Sequence, residues 1–220
     1  MVKEEKEMMI VSAKAPTELG GWLETQLPEL TMKRLQEYIE TAKKDPILNN
    51  SMLAGNITKS LVLKDKDDWF FQNILSILIG EFKKHYPEYT GRIGILSKAA
   101  PYCLSTFWVN FQKENEFNPL HNHSGVFSFV IFVKIPTDWR EQHALPISAN
   151  SNSPCASNFE FHFSSMMGDI GKHSYFLSKK SEGHMLFFPA KLMHTVYPFY
   201  NCDEERISIS GNICFDISAD

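Results

Sequence analysis

Residues 121–136 read His-Asn-His-Ser-Gly-Val-Phe-Ser-Phe-Val-Ile-Phe-Val-Lys-Ile-Pro, and this stretch decides the fold class. Residues 127–135 are rich in aromatic and β-branched side chains and end at Pro136, which is typical of a buried strand. The sequence therefore predicts a strong strand that is preceded by two histidines, His121 and His123, with one residue between them.

Further strand patterns surround this stretch. They cover residues 92–98, 104–111, 158–164, 185–188, 194–197 and 206–215, which makes about eight short strands when an edge strand at 8–13 is included. Upstream, apolar residues at helical spacing predict a helix over 31–44, with Thr31 as N-cap and an end before Pro46. A second helix is predicted from about Lys66 to the residue before Pro87.

Helices that come first and strands that follow indicate helices packed on one side of an antiparallel β architecture. We expect a mainly β (α+β) fold, a double-stranded β-helix of the jelly-roll or cupin-like kind, in a single domain over 1–220. Residues 1–90 would supply an N-terminal strand and supporting helices, and residues 91–220 the β-helix core.

Composition and charge argue against several classes of function. The 220 residues carry a net charge of −4 without a lysine–arginine run, so charge does not indicate nucleic-acid binding. The apolar stretches are too short to span a bilayer, and the charged N-terminus lacks the apolar core of a signal peptide. The four cysteines follow no metal or redox spacing. We expect reduced thiols in a cytoplasmic protein, in a host cytoplasm if the chain is phage-encoded.

Three histidines are the candidate metal ligands. His121 and His123 point to one face if the chain is extended, and His194 follows a second short apolar strand. Imidazole suits Fe, Zn and Cu, and three ligands on one face leave coordination positions open. The alternative is a pair of surface or hydrogen-bonded histidines, but both segments adjoin aromatic strands, which favours ligands.

Arg206 and Ser208 are the candidate anion site. On a strand, Arg206, Ser208, Ser210 and Asn212 share one face, opposite Ile207, Ile209 and Ile213. An inward arginine is costly unless an anion pairs with it, and a guanidinium beside a hydroxyl matches a carboxylate. The alternative is an internal salt bridge to Asp or Glu.

Other polar residues are weaker candidates. His143, His162, His173 and His184 are weaker ligand candidates, with His162 expected to face solvent, opposite the phenylalanines beside it. Residues 137–157 are polar and poor in strands, so we expect a lid or binding loop there.

Six segments together carry a family resemblance. They are Phe107-Trp-Val-Asn-Phe111, Glu116-Phe-Asn-Pro-Leu-His-Asn-His-Ser-Gly125, Ser128-Phe-Val-Ile-Phe-Val-Lys-Ile-Pro136, Glu182-Gly-His-Met-Leu-Phe-Phe-Pro-Ala190, His194-Thr-Val-Tyr-Pro-Phe199 and Glu205-Arg-Ile-Ser-Ile-Ser-Gly-Asn212. In this order and spacing the chain resembles the 2-oxoglutarate- and Fe(II)-dependent oxygenase superfamily, and within it the prolyl-hydroxylase-like proteins of marine bacteriophages.

The resemblance implies roles for particular residues. His121 and His194 would be the two histidines of a facial Fe(II) triad. Arg206 and Ser208 would bind the distal carboxylate of 2-oxoglutarate, with Asn110 as a further contact to cofactor or substrate. It implies a hydroxylase that takes 2-oxoglutarate and molecular oxygen and releases succinate and CO₂. The primary substrate is not implied.

One position departs from the family pattern. The usual middle ligand is Asp or Glu, and here it is His123, with Glu114, Glu116 and Asp169 as carboxylates that could join the metal. Two alternatives therefore stay open. One is a cupin-like three-histidine metalloenzyme that does not use 2-oxoglutarate, and the other is a non-catalytic metal-binding or virion-associated module.

Overall fold

The computed structural model describes residues 9–17, 20–89, 100–165 and 167–216. The strand predicted over residues 92–98 lies outside these ranges, as does Met8 at the start of the predicted edge strand. Within the described ranges, none of the helices combines the length and the apolar character needed to span a lipid bilayer.

Two antiparallel sheets form the body of the protein. Their strands are β1 (Val11–Thr17), β2 (Gly20–Gln26), β3 (Lys59–Val62), β4 (Tyr102–Gln112), β5 (Asn118–His121), β6 (Phe127–Lys134), β7 (Phe159–Ser164), β8 (Ile170–Tyr175), β9 (His184–Pro189), β10 (Met193–Val196) and β11 (Arg206–Phe215). The major sheet has the order β1-β2-β9-β6-β11-β4-β3, and the minor sheet has the order β5-β10-β7-β8. The predicted jelly-roll architecture is confirmed.

Strands with strong alternation were predicted well. The observed bounds of β11 equal the predicted ones, and those of β6 differ by one residue. Four strands were not predicted, namely β2, β3, β5 and β8. β2 and β3 pair with β9 and β4, so the N-terminal part contributes directly to the major sheet.

The first helix begins two residues earlier than predicted, and the second helical stretch begins at Lys66 as predicted. α1 spans Glu29–Lys44, and Thr31 is a buried residue of its first turn, not its cap. The second helical stretch is irregular. Its first turn kinks at Asp67 (φ 58°), and a π-helical turn (Phe71–Leu75) then leads into α2 (Ser76–His85). The carboxylate of Asp65 accepts hydrogen bonds from the backbone N–H groups of Phe70 and Phe71 and so caps this stretch.

The major sheet separates two apolar cores. α1 and α2 pack on its outer face, where Leu35, Ile39 and Phe82 belong to one cluster with Val109 and Ile209. The second cluster lies between the sheets and includes Val130, Phe132, Phe159, Phe161, Leu186 and Phe188. Alternate residues of one strand thus serve different cores, as the two-residue period of a strand requires. Among the described residues, α1 and α2 pack on the outer face of the major sheet, whereas its other face borders a cavity.

Candidate active site

His121, His123 and His194 converge between the sheets. His121 ends β5 and lies directly opposite His194 of β10 in the ladder. Their candidate ligand nitrogens, with that of His123, all lie within 4.8 Å of one another. The register of this ladder shifts between His194 and Val196, so Asn118 and His121 both line the cavity although they are three residues apart. A β-bulge of this kind re-aims a side chain toward a site.

Backbone carbonyls fix which nitrogen each imidazole presents. His121 Nδ1 donates to Pro119 O at 2.6 Å, and His194 Nδ1 donates to Leu192 O at 3.0 Å. Each ring therefore presents an unprotonated Nε2 to the centre of the cluster. The backbone N–H of His123 donates to Ala190 O at 2.8 Å, which holds the third histidine against the loop before β10.

The spacing of the nitrogens suits one ion. His123 Nε2 and His194 Nε2 lie 3.1 Å apart. Imidazole nitrogens bind metals such as zinc at about 2.0–2.1 Å, so two of them at right angles on one ion are separated by about 3 Å. The three side chains therefore fit a metal ion with open positions toward the cavity.

Burial keeps the three imidazoles neutral. Desolvation lowers the pKa of His123 to about 3, with smaller contributions from His121 and Lys191. It also lowers the pKa of His121, and that of His194 well below its usual value. The rings of Phe159 and Phe188 lie 5.5 and 5.1 Å from the His194 ring, which accounts for the strong desolvation there. A neutral imidazole is the form that binds a metal.

Among the described residues, no carboxylate joins this cluster. The side chain of Glu116 instead accepts hydrogen bonds from the backbone N–H groups of Thr58 and Lys113, both at 2.9 Å. Asp169 is hydrogen-bonded to the Ser165 hydroxyl. The position that usually carries a carboxylate is thus filled by His123 alone.

A ladder of polar side chains faces the three histidines from the major sheet. It consists of four directly opposite pairs on β11 and β4: Arg206 with Gln112, Ser208 with Asn110, Ser210 with Trp108, and Asn212 with Thr106. We call these eight residues the polar ladder. All except Arg206 line a cavity of about 240 Å³, together with the three histidines.

Several polar atoms of the ladder are buried without a hydrogen-bond partner in the described part of the protein. They are Trp108 Nε1, Asn110 Oδ1, Asn212 Oδ1 and Arg206 Nε. Leaving such atoms unpaired costs free energy, so they are expected to bind a ligand or ordered water. The ladder offers both donors and acceptors on one wall of the cavity.

Arg206 is a buried cation that has no counter-ion among the described residues. It is 2% exposed, and no acidic side chain of the described residues lies within ion-pair distance. Its guanidinium donates to Ser157 Oγ at 2.6 Å, to Ser157 O at 3.1 Å and to Tyr197 O at 3.4 Å. Burial lowers its pKa to about 9, so it stays charged at neutral pH. The internal salt bridge considered above is not formed with the described residues, and the donor set fits a carboxylate.

Comparison with known proteins agrees with this geometry. Residues 106–212 match the family model described as "Putative 2OG-Fe(II) oxygenase". This match, over just under half of the chain, supports the 2-oxoglutarate- and Fe(II)-dependent oxygenase superfamily for this protein. Members of this superfamily are oxidoreductases that use Fe(II) and 2-oxoglutarate, with molecular oxygen as co-substrate. No curated protein matches the sequence.

One of the matching solved structures resembles this chain in fold. A prolyl-4-hydroxylase of Pseudomonas putida is 12% identical, with a TM-score of 0.52 over 90% of this chain and 94% of that one. A 2OG-Fe(II) oxygenase family oxidoreductase of Burkholderia pseudomallei is 14% identical, with a TM-score of 0.37 over 64% and 57%. IDO of Bacillus thuringiensis is 14% identical, with a TM-score of 0.35 over 68% and 59%. The predicted resemblance to bacteriophage proteins stays a prediction.

The oxygenase cavity has an entrance wall that the sequence analysis did not identify. Residues 49–57, which we call the strap, run from the β3 edge of the major sheet to the β5 edge of the minor sheet. Asn56 N donates to Phe117 O at 3.0 Å, and the Asn50 amide bonds to Ile57 O, Thr58 O and Ser60 N. Met52 lines the cavity and is 76% exposed, so it stands at the mouth.

The other histidines of the oxygenase lie elsewhere. His143 pairs with Asn158 Oδ1 at 3.1 Å, and the rings of His173 and His184 pack near Tyr175. The prediction that His162 faces solvent is wrong, because its side chain is only 17% exposed and lies 3.3 Å from the Thr195 hydroxyl. The predicted loop at 137–157 contains a short helix, α3 (Trp139–Ala144), and Ser157 at its end contacts Arg206.

Proposed function

We propose that this oxygenase binds Fe(II) on His121, His123 and His194, binds 2-oxoglutarate with Arg206, Ser208 and Asn110, and hydroxylates an organic substrate. The convergence of three neutral imidazoles on one side of the cavity carries the proposal. When bound, Fe(II) and 2-oxoglutarate supply the oxidising power that activates molecular oxygen for insertion into a C–H bond.

Arg206 would hold the distal carboxylate of 2-oxoglutarate. Its guanidinium is buried and charged, and its Nε–H has no hydrogen-bond partner among the described residues, so charge-assisted hydrogen bonds to a carboxylate would offset the cost of burial. Ser208 and Asn110, the next pair of the ladder, line the cavity and would contact the same molecule. Two neutral groups beside one cation suit an elongated anion that reaches from Arg206 toward the histidines.

The third imidazole changes the charge at the metal. A carboxylate ligand would reduce the charge of Fe(II) by one, and His123 leaves it at +2. An anionic co-substrate would then neutralise the metal charge that three neutral imidazoles leave uncompensated. The aromatic walls, Phe159, Phe188 and Trp108, would keep bulk water from the reacting atoms.

Thermal unfolding of the metal-free protein with Mn(II), a redox-stable substitute for Fe(II), tests the metal site. A native-state ligand must raise the melting temperature. We expect Mn(II) to do so for the wild type and for His162→Ala, a half-buried histidine outside the cluster, and not for His194→Ala. Equal responses of the two variants would overturn the assignment of the ligands.

A second arm of the same experiment tests 2-oxoglutarate. With Mn(II) present, 2-oxoglutarate should add stabilisation to the wild type and to Arg140→Met, an exposed arginine, and not to Arg206→Met. Metal stabilisation without any response to 2-oxoglutarate would instead favour the three-histidine metalloenzyme that does not use it. Iron- and 2-oxoglutarate-dependent succinate formation is the corresponding activity assay.

Domain organisation and location complete the proposal. We propose one domain over 1–220, in which residues 1–90 support the core at 91–220. The pairing of β2 and β3 with strands of the core supports this single-domain organisation. We also propose a reducing compartment, the cytoplasm, in keeping with the four unpaired cysteines. The primary substrate would be a molecule that fits past Met52 into a cavity lined by amides and hydroxyls.

A further inference from the structure

Two of the four cysteines lie directly opposite each other in a strand ladder. Cys103 of β4 pairs with Cys214 of β11, the same two strands that contain the polar ladder. Asp216 N donates to Pro101 O at 2.7 Å, and alternation along antiparallel strands then makes Cys103–Cys214 a hydrogen-bonded pair. The Cα atoms of such pairs are about 5.5 Å apart, which is also the commonest separation in disulfides.

Both cysteines are partly exposed and lie on the same face of the sheet. Cys103 and Cys214 are each partly exposed, and directly opposite residues of a ladder point to the same face of the sheet. Burial raises the pKa of the Cys103 thiol, with further contributions from Asp216 and Cys214. The register and the shared face place the two side chains opposite each other, and their partial exposure lets a peroxide reach them. The Cβ atoms of directly opposite residues are about 4.5–5.5 Å apart, so a disulfide here would draw the two strands together to about 3.8 Å between these atoms.

We propose that Cys103 and Cys214 are a modification site, a dithiol that a peroxide oxidises to a disulfide. The thiolate of one cysteine attacks the O–O bond of hydrogen peroxide, which gives a sulfenic acid and one water after proton transfer. The thiolate of the other attacks that sulfur, and hydroxide leaves as the second water. Two thiols and one peroxide thus give one disulfide and two waters.

The site adjoins the histidine cluster. The Cys214 sulfur lies beside Gly125, because a Cβ atom added at Gly125 would be 3.0 Å from this sulfur. Gly125 follows His123 by two residues. Val126 N donates to Ile213 O at 2.8 Å, which attaches the same segment to β11. Oxidation would therefore change packing next to the segment that carries His123. The proposal does not depend on the proposed function.

The test uses the double variant Cys155→Ser/Cys202→Ser, in which Cys103 and Cys214 are the remaining thiols. After treatment with hydrogen peroxide and alkylation of the native protein, we expect a monomer lighter by two hydrogen atoms that takes up no alkylating agent. Proteolysis should release the two cysteine peptides as one linked species, and a dithiol reductant should separate them.

A triple variant that also carries Cys103→Ser is the matched control, and we expect it to form no intramolecular link. The proposal is overturned if both thiols of the double variant stay alkylatable, if each is oxidised separately to a sulfenic or sulfinic acid, or if the only linked species is a dimer. The wild type provides an internal comparison, because Cys155 and Cys202 face no cysteine across a ladder and should remain alkylatable.

Discussion

His123 and His194 are 71 positions apart in the chain, and their Nε2 atoms lie 3.1 Å apart. The first follows the edge strand β5 and the second lies on β10, so the ladder between these strands brings the two rings together. Each ring is desolvated and neutral, and the cluster they form with His121 contains no carboxylate of the described residues.

Replacing His123 by Asp should make the protein depend more strongly on metal. A carboxylate buried in this cluster without a cation is costly, so the metal-free variant should melt below the wild type. Mn(II) would pair with the carboxylate, and its stabilising effect should exceed that on the wild type. Melting temperatures of both proteins with and without Mn(II) check this. An unchanged metal-free melting temperature would contradict it.

Acid should destabilise the metal-free protein at a pH where most carboxylates are still ionised. Burial depresses the pKa of His123 to about 3, so below its unfolded value of 6.5 the unfolded chain binds a proton that the folded one does not. Stability is then complete above about pH 6.5 and falls as the pH decreases, by on the order of 1–2 kcal/mol between pH 7 and 5 for this residue. Urea unfolding at both pH values measures the change.

His123→Gln supplies the control for the pH experiment. Glutamine is neutral at both pH values, so the variant should lose less stability than the wild type between pH 7 and 5. An equal loss in both proteins would show that other groups cause the acid sensitivity.

Trp108→Phe should stabilise the ligand-free protein. The variant keeps the aromatic ring and removes an indole N–H that is buried without a partner in the described structure. Removing such a group should gain about 1 kcal/mol. Trp22→Phe is the matched control and should destabilise, because the Trp22 N–H donates to Tyr175 and Glu24. Denaturant unfolding of both variants decides the sign.

Gly55→Ala should displace the strap. A Cβ at Gly55 would lie 1.8 Å from Asn118 Oδ1 and 2.4 Å from Phe117 O, so the strap or β5 must move. We expect a destabilisation of about 1–3 kcal/mol, which is typical of overpacking. Gly80→Ala in α2 meets no atom within 4 Å and should instead stabilise by up to about 1 kcal/mol. Equal effects of the two changes would argue against a tightly held strap.

Local sequence patterns predicted the strands that are buried and regular. β6 and β11 either alternate between apolar and polar residues or stay apolar over eight or more residues. The sequence of each strand therefore determines which of its side chains face the core. The same strength of pattern around residues 121–123 and 194 made the histidines recognisable as candidate ligands, and the structure brings the three together.

The elements that were not predicted depend on contacts between residues that are far apart in the chain. β5 contains Pro119 and a bulge, which hide its strand character, and β3 has only four residues. The strap is held by hydrogen bonds of the Asn50 amide and by the hydrogen bond from Asn56 N to Phe117 O. Such hydrogen bonds produce no periodic pattern in the sequence. The capping of the second helical stretch by Asp65 was likewise missed, because the left-handed backbone at Asp67 separates the cap from the helix.

The position of β5 has a consequence for dynamics. It is an edge strand of four residues that pairs with β10 alone in its sheet, yet His121 ends it and His123 follows it. Edge segments with few partners open locally far more often than the protein unfolds as a whole. A bound ion would join β5 to His194 and suppress this fraying. Amide hydrogen exchange at residues 118–124 should therefore slow on metal binding, while exchange in β6 and β11 stays the same.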